Sequence, residues 1–177
     1  DDHHGTHVVG SIVGQRVPGR VSLGDGIAPG ARVHFCAMQR NGKFLVPPVS
    51  RVLKLSYDHG ARVHSNSWGE QDIHQAGKYS ATARIVDKFA YDNEYMTILF
   101  AAGNTGGFSH EGRARTYNNM SINQPSTAKN VLCVGATQTV LRNANAEEEL
   151  RQLGKAGALD DEVSVRATDR PERLVRF

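Results

Sequence analysis

The chain has 177 residues, 39% of them hydrophobic and 22% charged, which excludes a disordered or fibrous polypeptide and allows a globular one with a sizeable core. The basic residues behind its net charge of +3 are scattered, with no aromatic interleaving, so the sequence carries no nucleic-acid footprint. No stretch approaches the ~18 consecutive apolar residues of a membrane-spanning helix.

The opening Asp1-Asp2-His3-His4 has no Met, charged leader or apolar run, and reads as an internal stretch of a longer polypeptide from which localisation is not legible. Residues 4–14 place Val8, Val9, Ile12 and Val13 at helical spacing, with Gly10 and Gly14 leaving room for close packing. The turn Ala28-Pro29-Gly30 introduces a predicted strand over Ala31–Met38. Val49–His59 reads as a helix with Gly60 as its C-cap, and Arg62–Ser67 as a short strand. Gln75–Asn93 is the longest helical pattern, with Ala83, Val86 and Ala90 facing inward. Met96–Ala102 and Asn130–Ala136 are apolar runs without polar alternation, as expected of parallel strands covered on both faces. Such alternation of strands and helices specifies a parallel α/β sheet.

Residues 104–125 are rich in Gly, Asn and Ser and read as a functional surface loop. From about Leu141 the texture changes. Glu147-Glu148-Glu149 begins a charged segment reaching Arg176, with one short helical pattern near Ala144–Leu153, and is expected to be a solvated insertion. Cys36 and Cys133 each lie in an apolar run with no CxxC spacing, which predicts two buried free thiols.

The cluster His3-His4-Gly5-Thr6-His7 has three readings. Histidines three or four apart share a helix face and can ligate a metal with Asp1 and Asp2, but no second ligand-rich cluster and no HExxH accompanies them, so no metal site is assigned. A structural histidine pair is the second reading, and a general base at a helix N-terminus the third. Trp68 is a core tryptophan, a substrate contact, or both. Asn119-Met120-Ser121 is a glycosylation sequon of a kind common by chance.

Five blocks in a fixed order resemble the subtilases. His4–Gly10 is similar to their histidine block, HGTHV-small-G, with Val9 at the small position. Gly26-Ile27-Ala28-Pro29-Gly30-Ala31 resembles the turn into a core strand, and Asn66-Ser67-Trp68-Gly69 the strand edge that receives substrate. Ala101-Ala102-Gly103-Asn104 matches the AAGN block, and Pro125–Ala136 resembles the PxTAKNxxxVGA strand. Within the family, HSNSWG followed by a long helix and TILFAAGN is most similar to the large oxidant-stable alkaline subtilases. The resemblance implies a three-layer subtilisin-like α/β fold with a mostly parallel central sheet, incomplete at both ends. Residues 1–140 would be part of a catalytic domain, and residues 141–177 a charged connection towards the serine block.

The activity implied is serine-type endopeptidase, acting on polypeptides. A hydroxyl nucleophile needs an imidazole to take its proton, the role implied for His4. The tetrahedral oxyanion needs donors already aimed at it, the role implied for Asn104. By the same resemblance Ser67, Trp68 and Gly69 align the substrate, as a strand added to a sheet edge. Ala101, Ala102 and Gly103 wall the primary specificity pocket, and His7 is a packed residue. No cofactor is evident. Some relatives bind structural calcium, but no Asn/Asp-rich loop follows the histidine helix here. Family habit also implies a secreted or secretory-pathway protein.

The departures are specific. Triad order in subtilases is aspartate, histidine, serine. Asp1 and Asp2 are too close to His4 to be the aspartate, and no GTS-small-[AP] segment supplies the serine. Ser121, Ser126 and Ser164 lack that context, while Leu174–Phe177 resembles the residues just before it. These 177 residues alone are therefore expected to be inactive. The alternative is a pseudoenzyme or peptide-binding module of the same fold, with a metal-dependent hydrolase more distant.

Overall fold

The computed structural model describes residues 3–19, 25–40, 43, 44, 47–70, 72, 74–104, 107, 108, 116, 117 and 120–136. They fall in two compact units, one holding Asp2–Val33 and one holding His34–Gly135. The first contains helix α1, His4–Val13. Val8, Val9, Ile12 and Val13 are its half-buried stripe, as their spacing predicts. His3 precedes it with a left-handed backbone, and its carbonyl accepts from His7 N at 3.0 Å. Gly26–Ala28 return along the last turn, where Gly26 N, Ile27 N and Ala28 N donate to the carbonyls of Gly14, Ser11 and Ile12 at 2.7, 3.1 and 2.7 Å. Those carbonyls are ones a helix end leaves without intrahelical partners. The expected turn follows, with Ala31 N donating to Ala28 O at 3.0 Å.

The strand expected over Ala31–Met38 does not form. These residues have no ladder partner among the described residues, and Val33 and Phe35 are exposed. Apolar character suits a strand, but a neighbouring strand must satisfy its backbone. Instead β1 (Gln39–Arg40) pairs antiparallel with β2 (Lys43–Phe44).

In the unit His34–Gly135, helix α2 spans Val49–Asp58. It ends as its Gly60 predicts: Gly60, at φ +89°, donates to Tyr57 O at 2.9 Å, and Ala61 N donates to Ser56 O at 3.0 Å. Those two bonds are a Schellman motif, which a glycine satisfies without Cβ strain. Strand β3 is Val63–Asn66 and helix α3 is Ala81–Asp92. The helix expected from Gln75 starts six residues later because Ser80 caps it, its Oγ accepting from Ala83 N at 3.0 Å. Strand β4 is Thr97–Ala101. Within the stretch read as a loop, β5 (Gly107–Phe108) and β6 (Thr116–Tyr117) form an antiparallel pair, a hairpin that the composition does not reveal. Strand β7 is Leu132–Val134.

The sheet order is β3-β4-β7, parallel throughout. Ile98 and Phe100 of β4 bury one face against Val49 and Leu53 of α2 and Ala83 and Val86 of α3. The opposite face departs from expectation, for Val63, Leu132 and Val134 are exposed. Cys133 is exposed and Cys36 half-buried, so both thiols are free but neither is the buried hydrophobe expected. These are the two faces of a parallel sheet in an α/β arrangement. The charged segment 141–177, with its helix near Ala144–Leu153, and the ends Asp1 and Asp2 lie outside the described residues. Among the described residues no helix is long and apolar enough to cross a membrane.

One buried carboxylate ties α3 to the chain entering β7. Asp87 Oδ1 accepts from Lys129 N and Asn130 N at 2.8 and 2.7 Å, and Oδ2 accepts from Tyr79 Oη at 2.8 Å. Burial pushes its pKa up, but the two backbone N–H groups and the Tyr79 hydroxyl outweigh it and hold the carboxyl below its ordinary range. The same bond raises the Tyr79 phenol. A depressed carboxyl contributes stability that is present above its unfolded pKa and is lost as pH falls through its folded value. Asp87→Ala is expected to cost about 2–3 kcal/mol in urea unfolding, the loss of hydrogen bonds to a charged acceptor. Asp87→Asn should flatten the fall of stability on the acid side of about pH 4, the unfolded carboxyl value. An unchanged acid limb would show that Asp87 does not set it.

Candidate active site

Parallel pairing sets the geometry. Asn66 of β3 lies opposite Phe100 of β4, so Ser67-Trp68-Gly69 and Ala102-Gly103-Asn104 leave the sheet at the same carboxyl edge. Ala101, the last residue of β4, pairs with Val134 of β7. That edge is where open α/β sheets bind their ligands.

The first arm is held from beneath by Asn66, which is 3% exposed. The Trp68 indole N–H donates to Asn66 Oδ1 at 3.0 Å, which fixes the amide's orientation. Asn66 Nδ2 then donates to Leu99 O at 3.0 Å and faces His64 Nδ1 at 2.9 Å. Burial pushes the His64 imidazole below its usual pKa. A neutral ring keeps Nδ1 open as an acceptor for Asn66. Trp68 also packs edge-on against Phe100, with ring centroids 5.5 Å apart. It is thus a half-buried residue resting on the core, between an exposed Ser67 and a half-buried Gly69.

The second arm is held by backbone and side chain together. Ala102 N donates to Val134 O at 2.9 Å, and Ala102 O accepts from Asn123 N at 2.9 Å. Gly103 follows at φ +111°. A Cβ there would lie 2.4 Å from Asn123 Cγ and Nδ2. Asn104 comes next, three residues past the end of β4, and is exposed. Ala101 is exposed, while Ala102 and Gly103 are half-buried.

His4 occupies the first position of α1 and is exposed. His7 is exposed too, which corrects its reading as a packed residue: it falls outside the half-buried stripe of α1. Among the described residues no three His, Cys, Asp or Glu side chains are grouped to hold a metal ion. Asn123 and Asp87 went unread in the sequence. The backbone groups that tie them across the fold, at Ala102 for Asn123 and at Lys129 and Asn130 for Asp87, lie far off in the chain.

An α/β scaffold carrying candidate chemistry at the carboxyl edge of a parallel sheet defines a broad class of hydrolytic and binding proteins. The subtilase family (Peptidase_S8) model matches residues 1–170, and the chain belongs to that family of serine-type peptidases. Serine protease/ABC transporter B family protein tagD of Dictyostelium discoideum is 37% identical over 145 residues, or 78% of this chain and 7% of that protein. Serine protease/ABC transporter B family protein tagB of the same organism is 36% identical over 141 residues, 77% of this chain and 7% of its own length. The chain thus spans a small fraction of these relatives. Among solved structures, the prenylagaramide maturation protease PagA is similar with a TM-score of 0.55 at 24% identity, over 76% of this chain and 42% of that one. That likeness is one of fold.

Two glycines with positive φ separate strain from collision. Gly60→Ala meets open space and should cost roughly 1–2 kcal/mol, the strain of a left-handed non-glycine residue. Gly103→Ala adds the displacement of Asn123, and should lower Tm at least twice as far in calorimetry. Equal shifts would mean that Asn123 yields freely.

Proposed function

We propose that this chain is the histidine and oxyanion portion of a serine endopeptidase. His4 serves as general base and then general acid, and Asn104 donates its side-chain N–H to the oxyanion. Ser67, Trp68 and Gly69 align an extended substrate, and Ala101, Ala102 and Gly103 form a wall of the pocket for the residue preceding the scissile bond. The observation that carries this reading is the pairing of Asn66 with Phe100, from which both arms leave one edge of the sheet. Substrates are polypeptides. The kinship to oxidant-stable alkaline subtilases rests on the runs His64–Gly69 and Thr97–Asn104. Residues 1–140 make up the catalytic portion, and 141–177 a charged connection. A base and an oxyanion donor without a matched nucleophile hydrolyse nothing, so the 177 residues alone are inactive.

The test is kinetic and uses the full-length protein that contains this chain. His4→Ala should abolish peptide hydrolysis with little change in substrate binding, because the nucleophile loses its base. Asn104→Ala should lower kcat by about 10²–10³ with KM nearly unchanged, since the oxyanion exists only in the transition state; that magnitude is the one measured for such a donor within this family. Full turnover in a folded His4→Ala protein would refute the base. A change confined to KM in Asn104→Ala would refute the oxyanion donor.

A further inference from the structure

The direct ladder between the two arms stops at Asn66 and Phe100, and among the described residues what joins them beyond that pair is a third segment. Asn123, 2% exposed, donates its backbone N–H to Ala102 O at 2.9 Å and lays its side chain against Gly103. Ser126, equally buried, donates Oγ to Ala101 O at 2.6 Å and its N–H to Asn123 O at 2.9 Å. Each of the three residues before Asn104 is therefore held from this one stretch. Its other side is stitched to the chain that follows Gly69. Gln124 O accepts from Glu70 N at 2.8 Å, and Gln124 Nε2 donates to Gln75 O at 2.8 Å. Gly77 N donates to Ile122 O at 2.8 Å, and Thr127 Oγ1 to Lys78 O at 2.9 Å.

We infer that Asn123–Ser126 is the positioning element that sets the spacing between the substrate-aligning arm and the oxyanion donor, with Asn123 acting on Asn104 through Gly103. The inference rests on the function proposed above. Its physical basis is the sensitivity of oxyanion stabilisation to placement: a donor misplaced by ~1 Å forfeits on the order of 10²-fold in rate. Gly103 has no side chain with which to hold itself, and the amide of Asn123 fills the space beside it. The backbone bond from Asn123 to Ala102 survives truncation of the side chain, so the side chain can be tested alone.

The experiment is a double-mutant cycle in the full-length protein, with peptide hydrolysis as the readout. Asn123→Ala should lower kcat by about 10-fold or more with KM little changed, a partial loss of the effect of misplacement. The loss should vanish in an Asn104→Ala background, because a donor that is absent cannot be misplaced. Unchanged kcat in Asn123→Ala would overturn the inference, and so would a loss that multiplies fully with that of Asn104→Ala. Should Asn123→Ala fail to fold, Ser126→Ala takes its place in the same cycle, where unchanged kcat or full multiplication again overturns the inference. Wild-type turnover in Asn104→Ala alone removes the oxyanion assignment and this inference with it. A normal Asn104→Ala loss without coupling removes only this inference.

Discussion

The parallel pairing of β3 with β4 governs the rest of the sheet-bearing unit, His34–Gly135. Its register, Val63 to Thr97 through Asn66 to Phe100, decides which residues of two distant stretches emerge side by side. Because the strands run the same way, the ends of both lie at one edge, and a slip of one residue would turn every side chain of β3 to the opposite face. Burial fixes the register. Ile98 and Phe100 are 1% and 0% exposed, and only one alignment sets them against α2 and α3 while keeping the Asn66 amide beneath the sheet.

Hydrophobic burial fixes the sheet, but polar side chains fix the arms. Asn66 binds the Trp68 indole on one side and the Leu99 carbonyl on the other, so the first arm is tied to the strand that bears the second. Asp87 gathers Lys129 N, Asn130 N and Tyr79 Oη into a single carboxylate, which anchors the chain between the 123–126 stretch and β7. Among the described side chains that are not exposed, no fully buried nitrogen or oxygen lacks a hydrogen-bond partner. Completeness of this kind gives such a polar network rigidity, since a partly satisfied one costs more than an apolar core. A site that must place an amide to within a fraction of an ångström needs that rigidity near it.

What could be read from the sequence was whatever is contiguous. The histidine block opens a helix whose stripe, Val8 to Val13, is visible in its spacing, and Gly60 announces the end of α2. Strand β4 declares itself as an apolar run, and β3 and β4 both lead into distinctive tetrapeptides. What could not be read depends on partners far along the chain. Ala31–Met38 has strand composition but finds no ladder among the described residues. Asp87 looks like one more charge on α3, yet its two backbone donors lie 42 and 43 residues later. Asn123 sits in a stretch whose composition says only loop, and its place beside Gly103 follows from tertiary packing. The start of α3 is a different kind of miss, because Ser80 is a local cap signal that the apolar pattern from Gln75 overrode.

On the function proposed, the edge shared by β3 and β4 binds an extended peptide and presents Asn104 to its reacting carbonyl. A crystal structure of the full-length protein, with a peptide that ends in an electrophile mimicking the tetrahedral intermediate, would test this directly. The peptide backbone should pair along Ser67–Gly69, with Asn104 Nδ2 about 3 Å from the oxyanion oxygen, the reach of a hydrogen bond. A peptide seated elsewhere, or an oxyanion held by other donors with the Asn104 amide turned away, would contradict it.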